Sequence, residues 1–561
     1  MPSRFPLLAR LERALAALGV AGSGVFVATV VHGRTALVPS LAWATTAAAT
    51  WLVTGVLRWL AWRRTGAATW PSLALLPAAA AALALYLDDA SNHLVTLYAP
   101  ARQALLAYGL ITYGAAQAIF WGVLLVRRLA RARTRQLIAV PIALAIAAAA
   151  YINAAVFQPW VPPQADLLTN LRGARDLLAG DTPYHDVIPV WADRVHLLPA
   201  TLLLLFAPLS TLGDDPARVV FFLVNQVLWL CAVWLFVRRA APAPDRAWWY
   251  VLALFAGATY WPWLEAIRFG QQDGLLILLF VAGLTAAAVG RWRESGLALG
   301  LAFVVKPLSI WLPLVYVVHR RWRTLFVAGA TAAILFAASL PFTGIDSWLH
   351  FATVEVPEML PGTARGTNIP LQSVHARLFV GRSRLADGDP APSLGVISGL
   401  NVATNVLGLL LIARLDRRRR AEARSDGLVD APTGARAWLL DGAIGLTLTL
   451  LLAPMAWQHY ASWLLIAFGV LALPVVWRPL PAGARVAFAL FAGAAYLLLS
   501  LDDARLLPRL EPLVERWPAV MSFYAVGLLC LLGALVTGRF AAGTARPGGA
   551  EPALARRSGA E

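Results

Sequence analysis

Apolar runs of about 18 or more residues recur from residue 14 to residue 536, separated by short segments that carry arginine. A run of that length is what a helix needs to cross a hydrocarbon core of about 30 Å at about 1.5 Å per residue. The chain is 59% hydrophobic and only 14% charged. A soluble globular chain carries about a quarter charged residues. The sequence therefore predicts an all-α, polytopic transmembrane helical bundle of about 14–16 membrane segments.

A formal charge of +17 could point to nucleic acid, but the placement of the charge excludes it. Arginines sit in the short segments between apolar runs, at Arg58, Arg63 and Arg64, across 127–135, and across 417–420. That is the bias of cytoplasmic loops. The two cysteines, Cys231 and Cys530, both lie inside apolar runs, so no disulfide framework is expected. Residues 14–31 read as a retained first span, because no A-x-A-like cleavage site follows them.

Four apolar segments, 14–31, 38–60, 70–87 and 103–126, form an N-terminal extension over residues 1–135. A main membrane domain covers 136–540, and residues 541–561 read as a disordered cytoplasmic tail. With the N-terminus inside, a fifth span at 137–156 puts the polar loop 157–196 outside. A second long polar loop at 342–393 falls on the same side. The crossing parity of residues 197–270 stays open.

Lys306 is the single lysine among the 47 Lys and Arg residues, and it lies midway through "GLALGLAFVVKPLSIWLP". The flanking segments "GRWRES" and "HRRWR" are both arginine-rich and both belong inside. One crossing between them would break that rule. Two helices of about 13 residues, roughly 20 Å each, meeting at Lys306-Pro307 would obey it. Pro307 lacks an N–H and restricts the residue before it, so it is a natural break point. Lys306 is then expected at the tip of a hairpin facing an outward-opening cavity. Such a residue is either a snorkelling lysine or a functional charge with an anionic partner, Glu265 or a lipid-linked phosphate.

Other polar groups are expected on the same face. "QADLLTNLRGARDLLAGDTPYHD" has helical apolar spacing, with Asp166 at its start and Gly180 at its end. Asp166 is either an N-cap or a reactive carboxylate. "WPWLEAIRFGQQDG" places Arg268, Gln271 and Gln272 beside tryptophans, as an aromatic belt or a sugar-binding edge. "LLAPMAWQHYASW" carries Trp457 and His459, and His459 is either interfacial or functional. "PGTARGTNIPLQSVHARLF" adds Arg365, Asn368 and Gln372. No zinc spacing, P-loop, nucleophile elbow or dinucleotide fingerprint is present, so neither a metal nor a cofactor is expected.

In order, "LLAGDTPYHD", "FGQQDG", "GLALGLAFVVKPLSIWLP", "GTNIPLQSVHARL" and "LLAPMAWQHY" resemble the GT-C membrane glycosyltransferases of family 87. That group contains polyprenyl-phosphomannose-dependent α-mannosyltransferases. The resemblance covers about residues 137–536 and leaves the four N-terminal spans without a role. It implies a GT-C catalytic domain over 136–540 in the cell membrane, with its active site on the extracytoplasmic side. It also implies inverting hexosyl transfer, with mannose the family's best-known sugar. The donor would be a polyprenyl-phosphate sugar, and the acceptor a glycolipid or glycan of the cell envelope. By motif position Asp166 would be the general base. Lys306, His459 and Arg268 would hold the donor phosphate. Gln271, Gln272, Asn368, Gln372 and Trp457 would meet sugar or acceptor. The sequence departs from the pattern at Tyr460, where the family has a second histidine, and at "VIPVWADRVHLLPA", where it has a tyrosine-proline stretch. Both departures bear on the acceptor and the sugar. The competing readings are a transporter or lipid-linked sugar flippase, and a non-catalytic scaffold of envelope assembly.

Overall fold

The computed structural model describes residues 164–541 apart from 182, 185–198, 243–245, 308–310, 380–393, 426–433 and 502–516. The four N-terminal spans, the span at 137–156 and the tail at 542–561 lie outside the described residues. Among the described residues there is no strand, and only one isolated antiparallel bridge, Asn368 to Trp457.

In chain order the main helices are α1 Ala165–Ala179, α2 Ala200–Ser210, α3 Asp214–Ala240, α4 Arg246–Thr259, α5 Trp261–Phe269 and α6 Asp273–Ala288. Then come α7 Trp292–Val305, α8 Trp311–Val318, α9 Trp322–His350, α10 Leu371–Arg377 and α11 Gly395–Ser425. The last are α12 Gly434–Leu451, α13 Leu465–Ala472, α14 Ala482–Leu499 and α15 Phe523–Phe540, with a tight 3-10 stretch Gln458–Leu464 before α13. Helices α3, α9, α11, α14 and α15 are long and apolar enough to cross a membrane. The protein is an all-α, polytopic membrane protein.

The bundle has two unlike ends. Arg239, in the last turn of α3, reaches Glu294 in the first turn of α7 at 3.3 Å. Arg539, near the end of α15, meets Glu422 on α11. These contacts define an arginine face. At the other end Arg175 of α1 pairs with Asp214 at the start of α3, at 2.5 Å. That pair settles the parity of residues 197–212. Within them Ala200–Ser210 form the 11-residue α2, which is tied to α9 through Thr201 and Ser339 at 2.8 Å. The chain leaves α1 and enters α3 at the same end, so α2 does not cross. The return from the arginine face is made in two pieces, α4 and α5, broken at Tyr260, whose ψ of 104° is extended.

The α7–α8 pair folds back on itself as the sequence predicted, with 14 residues in α7 but 8 in α8, where about 13 each were expected. Lys306 ends α7 with extended backbone (φ −151°, ψ 110°). Ser295 near the start of α7 and Tyr316 near the end of α8 bring their hydroxyls to 3.2 Å, so both helices start and finish at the arginine face. A single straight helix would set those residues roughly 30 Å apart. The hairpin is seated on α9 by two small residues one turn apart. A Cβ on Gly296 would lie 2.6 Å from Val327 Cβ, and one on Gly300 would lie 2.6 Å from the Ala328 carbonyl. Such small-residue stripes let membrane helices approach backbone to backbone.

Helix α12 is buried on every side from Trp438 to Leu451, which is the signature of a central helix rather than an amphipathic one. Trp438 anchors it, donating its indole N–H to the Leu284 carbonyl of α6 at 2.8 Å and meeting Tyr316 edge-on. Helix α9 runs past Pro341, where the span was expected to end. It kinks at Gly344 (φ 67°), reaches His350, and continues as turns to Met359. Part of the expected outer loop 342–393 is therefore helical.

Candidate active site

The site forms where α1, the α5–α6 turn, the hairpin tip and the stretch Gln458–Leu464 converge. The α5–α6 turn is "FGQQDG". Gly270 ends α5 in the left-handed region (φ 71°), and a Cβ there would lie 2.6 Å from Leu167 Cβ and 3.0 Å from Gln164 Cβ. Glycine thus lets α1 lie directly on the turn. Leu167, Leu171, Ala174 and Leu177 bury the apolar face of α1. Asp166, one residue before Leu167, is thereby carried to Gln271.

The turn is pinned from α3. Asn225 donates from Nδ2 to the Gln271 carbonyl at 2.8 Å and accepts the Gly274 N–H at Oδ1, also at 2.8 Å. A Cβ on Gly274 would fall 2.2 Å from Asn225 Oδ1. The fit allows only glycine.

Asp166 is not an N-cap. The cap position is Gln164, and no side chain caps α1. The Asp166 carboxylate instead accepts a hydrogen bond from Gln271 Nε2. Lys306 Nζ in turn donates to Gln271 Oε1 at 3.5 Å. One amide therefore spans the two charges, with its donor toward the anion and its acceptor toward the cation. Asp166 keeps part of its surface accessible. Even so, displaced water pushes its carboxyl up to about 6. The Gln271 hydrogen bond and the Lys306 ammonium pull against that rise, and Asp273 adds to it.

Lys306 is buried and lies over an aromatic pair. Its Nζ is 3.3 Å from the Tyr460 ring centroid and 5.6 Å from that of Trp463. The expected anionic partner Glu265 is buried on α5, and no ion pair among the described residues joins it to Lys306. Asp273, fully buried at the start of α6, accepts the Trp463 indole N–H at 2.9 Å and faces Lys306 electrostatically.

His459 lies in the 3-10 stretch and packs its ring against Phe269 at 5.9 Å. Arg268 sets its guanidinium 5.8 Å from the same Phe269 ring. Gln272 is 4% exposed, and neither end of its amide has a hydrogen-bond partner among the described residues. Asp273 Oδ2, His459 Nε2 and Arg268 Nε are in the same condition. Buried polar groups are normally paired, so a concentration of unpaired ones marks a place built for something else.

Asn368, Gln372 and Trp457 are placed differently. Asn368 donates to the Thr363 carbonyl at 3.1 Å and accepts the Ala456 N–H at 2.9 Å. Ile369 N–H donates to the Ala456 carbonyl at 2.9 Å, and Gln458 N–H to the Thr367 carbonyl at 3.0 Å. The whole loop is clipped to the strand-like residues before His459. Buried Arg377 closes the clip from below through the Ala364, Arg365 and Asn368 carbonyls. Gln372 donates to the Leu360 carbonyl at 2.7 Å. Trp457 remains half-buried beneath Arg365, at 5.5 Å. Asn368 and Gln372 hold the loop's backbone, and Trp457 is the member of this group with a face left over.

Asn225, Asp273 and Trp463 were missed by sequence reasoning. The amide pair Asn225-Gln226 inside "FFLVNQVLWL" was a readable signal, since intramembrane polar residues face the protein interior. For Trp463 no sequence signal separated it from the other tryptophans.

Residues 197–440 match Glycosyltransferase family 87. Two relatives from Mycobacterium tuberculosis strains, each described as Alpha-(1->3)-arabinofuranosyltransferase, are 31% identical over 181 residues. That stretch is 30% of this chain and 39% of the relative, so the chain spans well under half the length of the curated relatives it matches. No solved structure matches. The family match contains Asn225, Gln271, Asp273 and Lys306, and leaves Asp166 and His459 beyond its limits. The match to glycosyltransferase family 87 runs from the α3 pin through the turn to the hairpin tip and on to residue 440.

Proposed function

We propose that the protein is an integral membrane glycosyltransferase that moves a sugar from a polyprenyl monophosphate to a glycolipid or glycan acceptor. The observation that carries this is the chain Asp166–Gln271–Lys306. It sets a carboxylate and an ammonium at the two ends of one amide, at the bundle end opposite the arginine face. By the positive-inside rule that end is extracytoplasmic.

In this reading Asp166 accepts the proton of an acceptor hydroxyl as its oxygen attacks the anomeric carbon. The bond from that carbon to the phosphate oxygen breaks, and the electron pair leaves with the phosphate. A phosphate is already a weak base, so the step needs charge stabilisation rather than an acid. Lys306, His459 and Arg268 supply it. One carboxylate suffices for a single inverting displacement, unlike the carboxylate pair of glycoside hydrolysis. Gln272 and the half-buried Trp457 offer an amide and a ring face to sugar or acceptor.

Mannose was expected from the resemblance, while the matching relatives are named for a pentose. The test therefore offers both polyprenyl-phosphate mannose and polyprenyl-phosphate arabinofuranose to purified protein in nanodiscs, with a panel of glycolipid acceptors. Transfer by wild type, reduced roughly 10²–10⁴-fold in Asp166→Asn, is the expected result. Undiminished transfer by Asp166→Asn would remove Asp166 as base. Absence of any product with any lipid-linked sugar would remove the transferase reading.

A further inference from the structure

The ammonium of Lys306 has an odd set of neighbours for a buried charge. No ion pair among the described residues includes it, and its hydrogen bond to Gln271 Oε1 is long, at 3.5 Å. Its closest companion is the face of Tyr460, 3.3 Å from Nζ to the ring centroid. That ring does not stand alone. Tyr460 and Trp463 stack at 5.3 Å with only 8° between their planes. Trp463 is fixed by its hydrogen bond to Asp273 at 2.9 Å and by the edge of Phe280 at 5.5 Å. Tyr460 is also tied by its main-chain N–H to the Trp457 carbonyl at 2.9 Å.

We propose that Tyr460 is a positioning residue, whose ring face holds the Lys306 ammonium in place without neutralising it and leaves the N–H donors not turned to Gln271 for a phosphate monoester or diester. The proposal rests on the lipid-phosphate reading above. A carboxylate in contact with Nζ would stabilise the charge but would also cancel its field and compete with an incoming phosphate. A ring face attracts a cation through its quadrupole and carries no net charge. Asp166 and Asp273 face the same ammonium from α1 and α6, and His459 flanks the ring, so the cation is surrounded without being paired.

Because Lys306 is the single lysine in the chain, its side chain can be observed without assignment. Protein grown on [ε-¹³C]lysine gives one side-chain methylene signal. A ring face over Lys306 moves that signal upfield by its ring current. We expect the upfield position in wild type and in Tyr460→Phe, and its loss in Tyr460→Leu. Undecaprenyl phosphate in nanodiscs is the ligand probe. Wild type and Tyr460→Phe should bind it alike, and Tyr460→Leu roughly tenfold more weakly, with the donor KM rising similarly and kcat changing less. An unshifted lysine signal in wild type would overturn the proposal. So would equal phosphate binding by Tyr460→Leu, or a loss in Tyr460→Phe as large as in Tyr460→Leu, which would assign the effect to the hydroxyl. A ring-shifted lysine and normal phosphate binding in a protein that transfers no sugar would count against the transferase reading and leave the ring's role standing.

Discussion

The two ends of the bundle each bury charge, and they treat it oppositely. At the arginine face Asp441 is fully buried between His319 Nε2 at 2.9 Å and Arg539 Nε at 2.8 Å. Arg539 also grips both oxygens of Glu422, at 2.7 and 2.9 Å, and Arg418 adds a contact at 3.0 Å. Arg436 caps the last carbonyls beside it, donating to Gly538 O at 2.7 Å. Each carboxylate oxygen there has a partner. At the opposite end Lys306 rests on a ring, and Gln272, Asp273 and His459 each keep a polar atom without a hydrogen-bond partner among the described residues. A network in which every carboxylate oxygen is paired serves the fold. An open one gives up stability for something not yet bound.

Breaking the closed end should have the largest effect on folding. Arg539→Met leaves fully buried Asp441 with His319 alone and strips half-exposed Glu422 of two contacts, and should destabilise by about 3–5 kcal/mol. Thermal unfolding in nanodiscs measures it, and the donor KM of the folded fraction should not change. Breaking the open end should act on rate instead. Gly270→Ala forces a Cβ against Leu167 and a strained φ, pushing α1 away from the turn. A displacement of that kind should lower kcat/KM by about 10²-fold.

Acid acts on the open end as well. Asp166 must lose its proton before it can act as a base, and burial has raised its carboxyl to about 6. The kcat/KM profile should fall as pH drops through about 6 and lie about tenfold below its plateau at pH 5. The smallest effect has the most informative sign. Gln272→Leu removes an unpaired buried amide, so it should raise stability by about 1–2 kcal/mol while lowering transfer. If Gln272→Leu transfers as wild type does, Gln272 does not contact the substrate. If it is less stable, the amide is satisfied within the protein.

Much of this is legible in the sequence. The break at Lys306-Pro307 followed from arginines on both flanks, because the charge rule and proline act locally along the chain. The 3.6-residue spacing of Leu167, Leu171, Ala174 and Leu177 likewise gave α1. What escaped depended on contacts between distant segments. Asn225 reads as one polar residue in an apolar helix until its amide is seen holding both ends of the turn. Tyr460 reads as a missing histidine until its ring is seen under Lys306. Asn368 and Gln372 have the composition of a sugar-binding edge, but their amides serve nearby carbonyls and an N–H. Residue type does not reveal which of several partners a side chain will choose.

The α7–α8 hairpin also constrains how the protein is made. Alone in lipid, a 14-residue and an 8-residue helix joined at a charged, non-helical tip would expose open backbone and an ammonium to hydrocarbon. Cover for them comes from α6, already synthesised, but also from α9, α12 and the rings of Tyr460 and Trp463. The hairpin therefore cannot take its final seat as it leaves the ribosome. Its full set of neighbours exists only once the chain has been made as far as Trp463.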